Sequence, residues 1–218
     1  MKALVVVAHP DDETIWTGGL MLRHPGWDWT VLSLCRSEDI DRAPRFYAAT
    51  KALGAKGLMS NLDDSPVLSP LSPTLVEITS RIIKLSPVRE YDYIITHGEY
   101  SRHERHEQVH KAVRDLVARG KLTGRLVFFA YSDDGRSHPP RPVPNADLTL
   151  QLSEQEFEMK RQIVERIYGF TGGSFEHAAC GMLEAFRAYS RTNPMSELQM
   201  LEELRSERRE SLAYSNNV

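Results

Sequence analysis

The chain has 218 residues, 41% of them hydrophobic, which is enough to build a core without disulfide or metal staples, and one domain over 1–218 is the simplest division. Its 27 Lys+Arg against 30 Asp+Glu contain no basic block, so nucleic acid is excluded as a partner. The two cysteines, Cys35 and Cys180, form no framework and point to a reduced, cytoplasmic protein; the opening apolar run stops at His9, too soon for a signal peptide, and no stretch reaches the roughly twenty apolar residues of a membrane span.

That opening run, Leu4-Val5-Val6-Val7-Ala8, reads as a buried strand of a parallel sheet, with His9-Pro10-Asp11-Asp12-Glu13 as its exit loop. A helix from about 13 to 24 follows, carrying Gly18-Gly19 and ending near His24-Pro25-Gly26. Residues 27–35 alternate and then turn apolar as a second strand, and helical spacing returns over 43–53, closed by Gly54. A short third strand over 56–62 leads through a Pro/Ser-rich linker, 63–73, to an amphipathic helix over 75–85 with Leu75, Ile78, Ile82 and Leu85 on one face.

Residues 91–96 are another buried strand, whose exit is His97-Gly98-Glu99-Tyr100-Ser101-Arg102-His103. A helix over 102–118 and a strand over 125–131 come next. Strands alternating with helices at this spacing predict an α/β fold with a mostly parallel sheet, whose right-handed crossovers bring the strand exits to one edge. The loop 132–147, with four prolines, leaves from that edge and is expected to form a lip over it. An edge strand over 148–152, a helix over 153–168 with a Ser153/Glu156 capping box, and a glycine-containing loop over 169–174 follow. The tail from about 194 to 212 is a charged helix whose Leu198, Leu201 and Leu204 can dock on the body or on a second copy, so a homo-oligomer is open. No internal repeat is present.

Two strand exits carry the chemistry. Read alone, Asp11 or Asp12 can be a helix cap with Glu13 favouring the helix's positive end. On the later helix, His103 and His106 occupy the first turn, while His110 borders the apolar stripe Val109, Val113, Leu116 and Val117 and reads as a packing residue. Catalytic zinc takes three protein ligands and a water, and His9, Asp12 and His106 supply such a set from two strand exits. Asp11 is then left to accept the water's proton, and His103 to stabilise an oxyanion or protonate a leaving amine. These parts suit hydrolysis of an amide or ester.

The strand ending Ala8-His9-Pro10-Asp11-Asp12-Glu13, the following Gly18-Gly19 and the later His103-x-x-His106 resemble the LmbE-like, or PIG-L, zinc-dependent N-deacetylases. The resemblance implies a Rossmann-like three-layer sandwich with its site at the C-terminal strand edge, and removal of acetate from an N-acetylamino sugar of N-acetylglucosaminide type or a conjugate of one. It implies His9, Asp12 and His106 as ligands of Zn²⁺ or another divalent ion, Asp11 as base, and His103 as oxyanion and proton-transfer partner. Arg42 and Asp64 fall where family members touch the sugar, and Tyr100 is a further candidate contact. Weaker matches run through Leu53-Gly54, Lys160 to Tyr168 and Glu184-Ala185-Phe186. The chain departs from the family at Arg45 and Arg105, where acidic residues are usual. Two rival classes remain: a Rossmann-type nucleotide-binding module, which lacks its G-x-G-x-x-G here, and a non-catalytic carbohydrate-binding protein.

Overall fold

The first strand, β1 (Lys2–Val7), is apolar almost throughout because both of its faces are covered. Ala3, Val5 and Val7 pack into one hydrophobic core, and Leu4, Val6 and the following Ala8 into another, as the two-residue period of a strand requires. In this computed structural model, residues 1–62, 72–132, 139–189 and 194–206 are described. After β1 come α1 (Asp12–Arg23), β2 (Asp28–Cys35), α2 (Arg42–Ala52), β3 (Ala55–Leu62), α3 (Leu75–Leu85), β4 (Glu90–Thr96), α4 (Glu104–Ala118) and β5 (Thr123–Phe129). The second half adds β6 (Tyr131–Ser132), β7 (Arg141–Pro142), β8 (Leu148–Gln151), α5 (Glu154–Gln162), α6 (Phe175–Ala179), β9 (Leu183–Ala188) and α7 (Pro194–Arg205).

Among the described residues the main sheet has seven strands in the order β3-β2-β1-β4-β5-β9-β8; the first five are parallel, and β9 and β8 are antiparallel additions. Side chains of α1, α2 and the segment after α5 fill the core on one face, and those of α3 and α4 the core on the other. From β1 the chain winds outward through β2 and β3, then returns to place β4 and β5 on β1's other side. The reversal leaves a crevice at the exits of β1 and β4, the position where open α/β sheets bind ligands.

Three elements differ from the sequence expectation. The helix expected over 153–168 keeps its Ser153/Glu156 capping box but changes pitch, and Ile163–Ile167 form a π-helical turn closed by the Tyr168 N–H on the Ile163 carbonyl at 3.0 Å. The extra residue in that turn lets Tyr168 face α1. β9 was not expected as a strand; it is short, and antiparallel pairing with β5 and β8 inserts it between them. In the proline-rich stretch, Tyr131 and Ser132 pair with Pro142 and Arg141, residues 133–138 lie outside the described set, and none of 139–147 lines the cavity described below. Of the tail's three leucines, Leu204 is buried and Leu201 packs partly buried on the core, while the side chain of Leu198 lies outside the described residues.

Candidate metal and catalytic site

At the exit of β1 the backbone turns through Asp11 at φ 130°, a conformation that an L side chain adopts only under strain. Asp11 stands at the N-cap of α1, yet its side chain makes no cap hydrogen bond, which removes the cap reading. Its backbone N–H instead donates to Glu13 Oε2 at 3.0 Å. Glu13 is fully buried, and its Oε1 accepts from the Thr14 hydroxyl at 2.6 Å and the Tyr168 hydroxyl at 2.7 Å. The strained turn is therefore held by a buried carboxylate that the π turn behind it completes. Asp12 is fixed at both oxygens: Oδ2 accepts the His9 N–H at 2.8 Å, and Oδ1 accepts the Trp16 indole N–H at 3.0 Å.

The exit of β4 brings three imidazoles against this loop. His106 is sandwiched, stacking on His97 with centroids 4.0 Å apart and on His103 at 4.6 Å. Its Nδ1 pairs with Ser101 Oγ at 3.0 Å, so with the proton on Nδ1 its Nε2 is turned to the cluster as a lone pair. His97 Nε2 lies 3.5 Å from Asp12 Oδ2 but accepts the Ala8 N–H at 3.0 Å, so its lone pair is already engaged. His103 is the N-cap of α4 and accepts the Arg105 N–H on Nδ1 at 3.3 Å, which leaves Nε2 as its donor. His110 packs on Phe128 and its Nδ1 pairs with the His97 carbonyl at 2.9 Å, a buttress for the β4 exit.

Two sets of metal-capable atoms gather here, one of His9, His103 and His106 and one of Asp12, His97 and His106, each with its atoms within 4.8 Å of one another. Across the two sets, His9 Nδ1, Asp12 Oδ2 and His106 Nε2 form a nearly equilateral triangle with edges of 3.4, 3.4 and 3.3 Å. A tetrahedral ion with bonds of about 2.0–2.1 Å separates its ligands by about 3.3–3.4 Å, so the donor set fits a divalent metal in both atom type and spacing.

The electrostatics agree with that donor set. Burial, followed by the nearby His97, pushes His106 down to about 4, which keeps its imidazole neutral. Burial works to raise Asp12, but His106 and His97 outweigh it and hold the carboxyl well below its usual range. Asp11 moves the other way: burial first, and the adjoining Asp12 second, push it well above the usual carboxylate value. Two neighbouring carboxylates are thus separated by environment into an ionised one and a proton-accepting one.

Beside the triangle lies a cavity of about 250 Å³, walled by His9, Asp11, Asp12, His103 and His106 on one side and by Arg36, Arg42, Phe175 and Glu176 on the other. Arg42 rests its guanidinium 4.7 Å over the Phe170 ring and reaches Asp11 Oδ2 at 3.5 Å. Arg45 points elsewhere, donating to Asp41 Oδ1 at 2.8 Å and to the Ile167 carbonyl at 2.9 Å, and so ties α2 to the turn leading into Gly169. Arg105 donates to Gln108, and it is Ser101 that meets the Nδ1 of His106. The Tyr100 hydroxyl accepts from Arg187, and Tyr100 is not among the residues lining this cavity. Asp64 lies outside the described residues. Trp16, Ser101 and Tyr168 were not singled out as site residues from sequence; their partners are distant in the chain or a helical turn away, and no local pattern marks them.

The model of the family described as PIG-L, GlcNAc-PI de-N-acetylase, matches residues 4–117, a span that includes both strand exits. The chain belongs to this family. No curated protein matches it. Among solved structures, the family fold recurs in GalB, the 4-carboxy-2-hydroxymuconate hydratase of Pseudomonas putida KT2440, at 16% identity over 88% of this chain and 98% of that one, with TM-score 0.57. It recurs in the zinc-inhibited form of teicoplanin deacetylase Orf2 at 11% identity over 88% and 100% of the two chains, TM-score 0.61. The N,N'-diacetylchitobiose deacetylase of Pyrococcus horikoshii is similar at 15% identity over 90% and 88%, TM-score 0.58. Likeness at these identities is a likeness of fold. Among the described residues, no helix is long and apolar enough to cross a membrane.

Proposed function

We propose that the protein is a metal-dependent N-deacetylase that hydrolyses the acetamide of an N-acetylamino sugar, of N-acetylglucosaminide type or a conjugate of one. His9, Asp12 and His106 would hold the metal, zinc being the first candidate for two imidazoles and a carboxylate. The observation that carries the reading is the ligand triangle, with edges of 3.3–3.4 Å, set beside a carboxylate pushed toward holding a proton. A bound divalent ion would lower the pKa of water toward neutrality and polarise the amide carbonyl.

The remaining steps fall to the chain's own groups. Asp11 takes the proton of the attacking water, a task for which a raised pKa suits it. His103 turns its Nε2–H toward the oxygen on which charge develops as the carbonyl carbon becomes tetrahedral. The C–N bond then breaks, the nitrogen receives a proton through Asp11 or His103, and acetate and the free amine leave. Arg42, held on Phe170 beside Asp11, orients the sugar. A nucleotide's phosphates would meet Asp11 and Asp12 in this exit loop, which disfavours the nucleotide-binding alternative. Two buried thiols, Cys35 and Cys180, joined in no disulfide, are in keeping with a cytoplasmic enzyme.

The test is acetate release from a panel of N-acetylglucosaminides by protein stripped with chelator and then reloaded with Zn²⁺, Mn²⁺, Co²⁺ or Ni²⁺. Turnover restored by one of these ions supports the reading, and that ion is the metal. Metal-loaded protein that releases no acetate from any member of the panel overturns it.

A further inference from the structure

We propose that a small aromatic recess between the exits of β4 and β5 is an acyl pocket that confines the enzyme to N-acetyl groups. The inference rests on the deacetylase reading and adds to it the length of the acyl chain. An amide carries two substituents on opposite sides of its carbonyl carbon, so a site that cleaves it needs two spaces flanking the reacting centre. Among the described residues two such spaces adjoin the ligand cluster. The cavity of about 250 Å³ is bounded mainly by residues following β1 and β2, together with His103, His106 and α6. The recess, of about 20 Å³, is bounded by His97, Gly98 and Ser101 after β4 and by Phe129 and Tyr131 at the end of β5. Trp16 and His106 line both. In the sheet order β2-β1-β4-β5 the two spaces open on either side of the ligand cluster, the larger fit for a sugar and the smaller for an acyl group.

The size and chemistry of the recess set its occupant. About 10–15 Å³ of such volume admits one water-sized group, so this recess takes a methyl and little more. Its walls present rings, and their polar atoms are engaged elsewhere: the Tyr131 hydroxyl donates to the Leu183 carbonyl at 2.6 Å, the Trp16 indole donates to Asp12, and His97 Nε2 holds the Ala8 N–H. The space is also stiff. Trp16 and Tyr131 lie with centroids 4.8 Å apart, Phe129 stands edge-on to His97 at 5.5 Å, and a Cβ on Gly98 would come within 2.1 Å of the Phe129 carbonyl oxygen. The two strand exits therefore approach as closely as backbone permits, and a longer acyl chain gains no room by a small adjustment. One methylene too many in an apolar pocket costs about 10–200-fold in kcat/KM.

The experiment compares N-acetyl, N-propionyl and N-butyryl versions of the best N-acetylglucosaminide, using metal-loaded wild type, Phe129→Leu and Tyr131→Leu. Wild type is expected to favour acetyl over propionyl by at least about 10-fold and to leave butyryl uncut. Either variant that folds, by circular dichroism and melting, is expected to raise the propionyl-to-acetyl ratio at least about fivefold, the scale of part of a methylene's worth. Ligand-observed NMR gives a second readout without turnover, in which wild type binds acetate in preference to butyrate and the variants lose that preference. Wild type that cleaves propionyl as readily as acetyl, or folded variants that keep the wild-type ratio, overturn the acyl pocket while leaving the deacetylase intact. Failure to cleave any of the three overturns the deacetylase reading itself, and the pocket with it.

Discussion

Ser101→Ala is the sharpest probe of how this chain orients the third proposed ligand, His106. Ser101 Oγ lies 3.0 Å from His106 Nδ1, on the far side of that ring from the ligand triangle. Removing it takes away the acceptor that fixes the proton on Nδ1 and keeps the Nε2 lone pair aimed at His9 and Asp12. Stacking on His97 and His103 still confines the ring plane, so the histidine should stay in place while its tautomer and basicity become free. Loss of such an outer partner lowers metal affinity by about 10–100-fold, or about 1.4–2.7 kcal/mol. The assay is competition for Zn²⁺ against a chromophoric chelator at fixed pH, with the melting temperature of the chelated protein as control. Ser101→Ala is expected to weaken metal binding by that factor and to leave the metal-free melting temperature within about 2 °C, as befits a half-buried Ser→Ala change of a few tenths of a kcal/mol. A metal affinity equal to wild type would refute the assignment of Ser101 as the orienting partner of His106.

The adjoining carboxylates should fail differently: Asp12→Asn is expected to lose metal in elemental analysis, whereas Asp11→Asn keeps it and loses about 10²-fold or more in kcat. Equal metal loss in both variants would dissolve the distinction between ligand and base. The two glycines of α1 should also part company. A Cβ on Gly18 meets nothing nearer than 3.5 Å, so Gly18→Ala is expected to stabilise by up to about 1 kcal/mol, as in any helix interior. A Cβ on Gly19 falls 2.3 Å from buried Leu152, so Gly19→Ala is expected to cost about 1–3 kcal/mol in urea unfolding, and a neutral Gly19→Ala would contradict the packing of α1 on Leu152 and β9. Burial lowers the pKa of His24, whose Nε2 pairs with the Leu204 carbonyl of α7. The unfolded chain therefore takes up a proton below about pH 6.5 that the folded chain resists, and stability falls as pH drops through that value. The melting temperature of His24→Gln is expected to decline less between pH 7 and pH 5.5 than that of wild type, and parallel curves would exclude His24 as a source of the slope.

The candidate site was legible where chemistry and chain order coincide. His9, Asp11 and Asp12 follow a strand that an all-apolar run marks, and His103 and His106 open the helix that follows a later strand, β4. Parallel winding then places both exits at the reversal of strand order without any further information. The supports were less legible: Trp16 and Ser101 stand near their partners but in no pattern that marks them, and others pair over long range, which no spacing encodes. Tyr168 reaches Glu13 across 155 positions, and only a π turn, which periodicity reads as ordinary helix, brings it there. Glu184 belongs to the same class. It accepts the backbone N–H groups of Gly19 and Leu20 at 2.7 and 2.9 Å and the Lys160 ammonium at 2.8 Å, from a strand too short to announce itself.

That buried pair gives the Gly18-Gly19 motif a cause that sequence alone could not supply. Lys160 and Glu184 are both fully buried, a costly arrangement unless every charge is paired and hydrogen-bonded. Here the carboxylate is met on one oxygen by the ammonium and the Gly19 N–H, and on the other by the Leu20 N–H, while the missing Cβ of Gly19 leaves room for the Leu152 side chain and for the carboxylate itself. The clamp fixes α1, and α1 carries Asp12 in its first turn and Trp16 in its next. A displacement of this helix along its axis would carry Asp12 Oδ2 out of the triangle with His9 and His106, since two of the three edges end on it. The glycine, the buried lysine and the buried glutamate thus act on the proposed metal site through the placement of one helix, although they stand far from it in the chain.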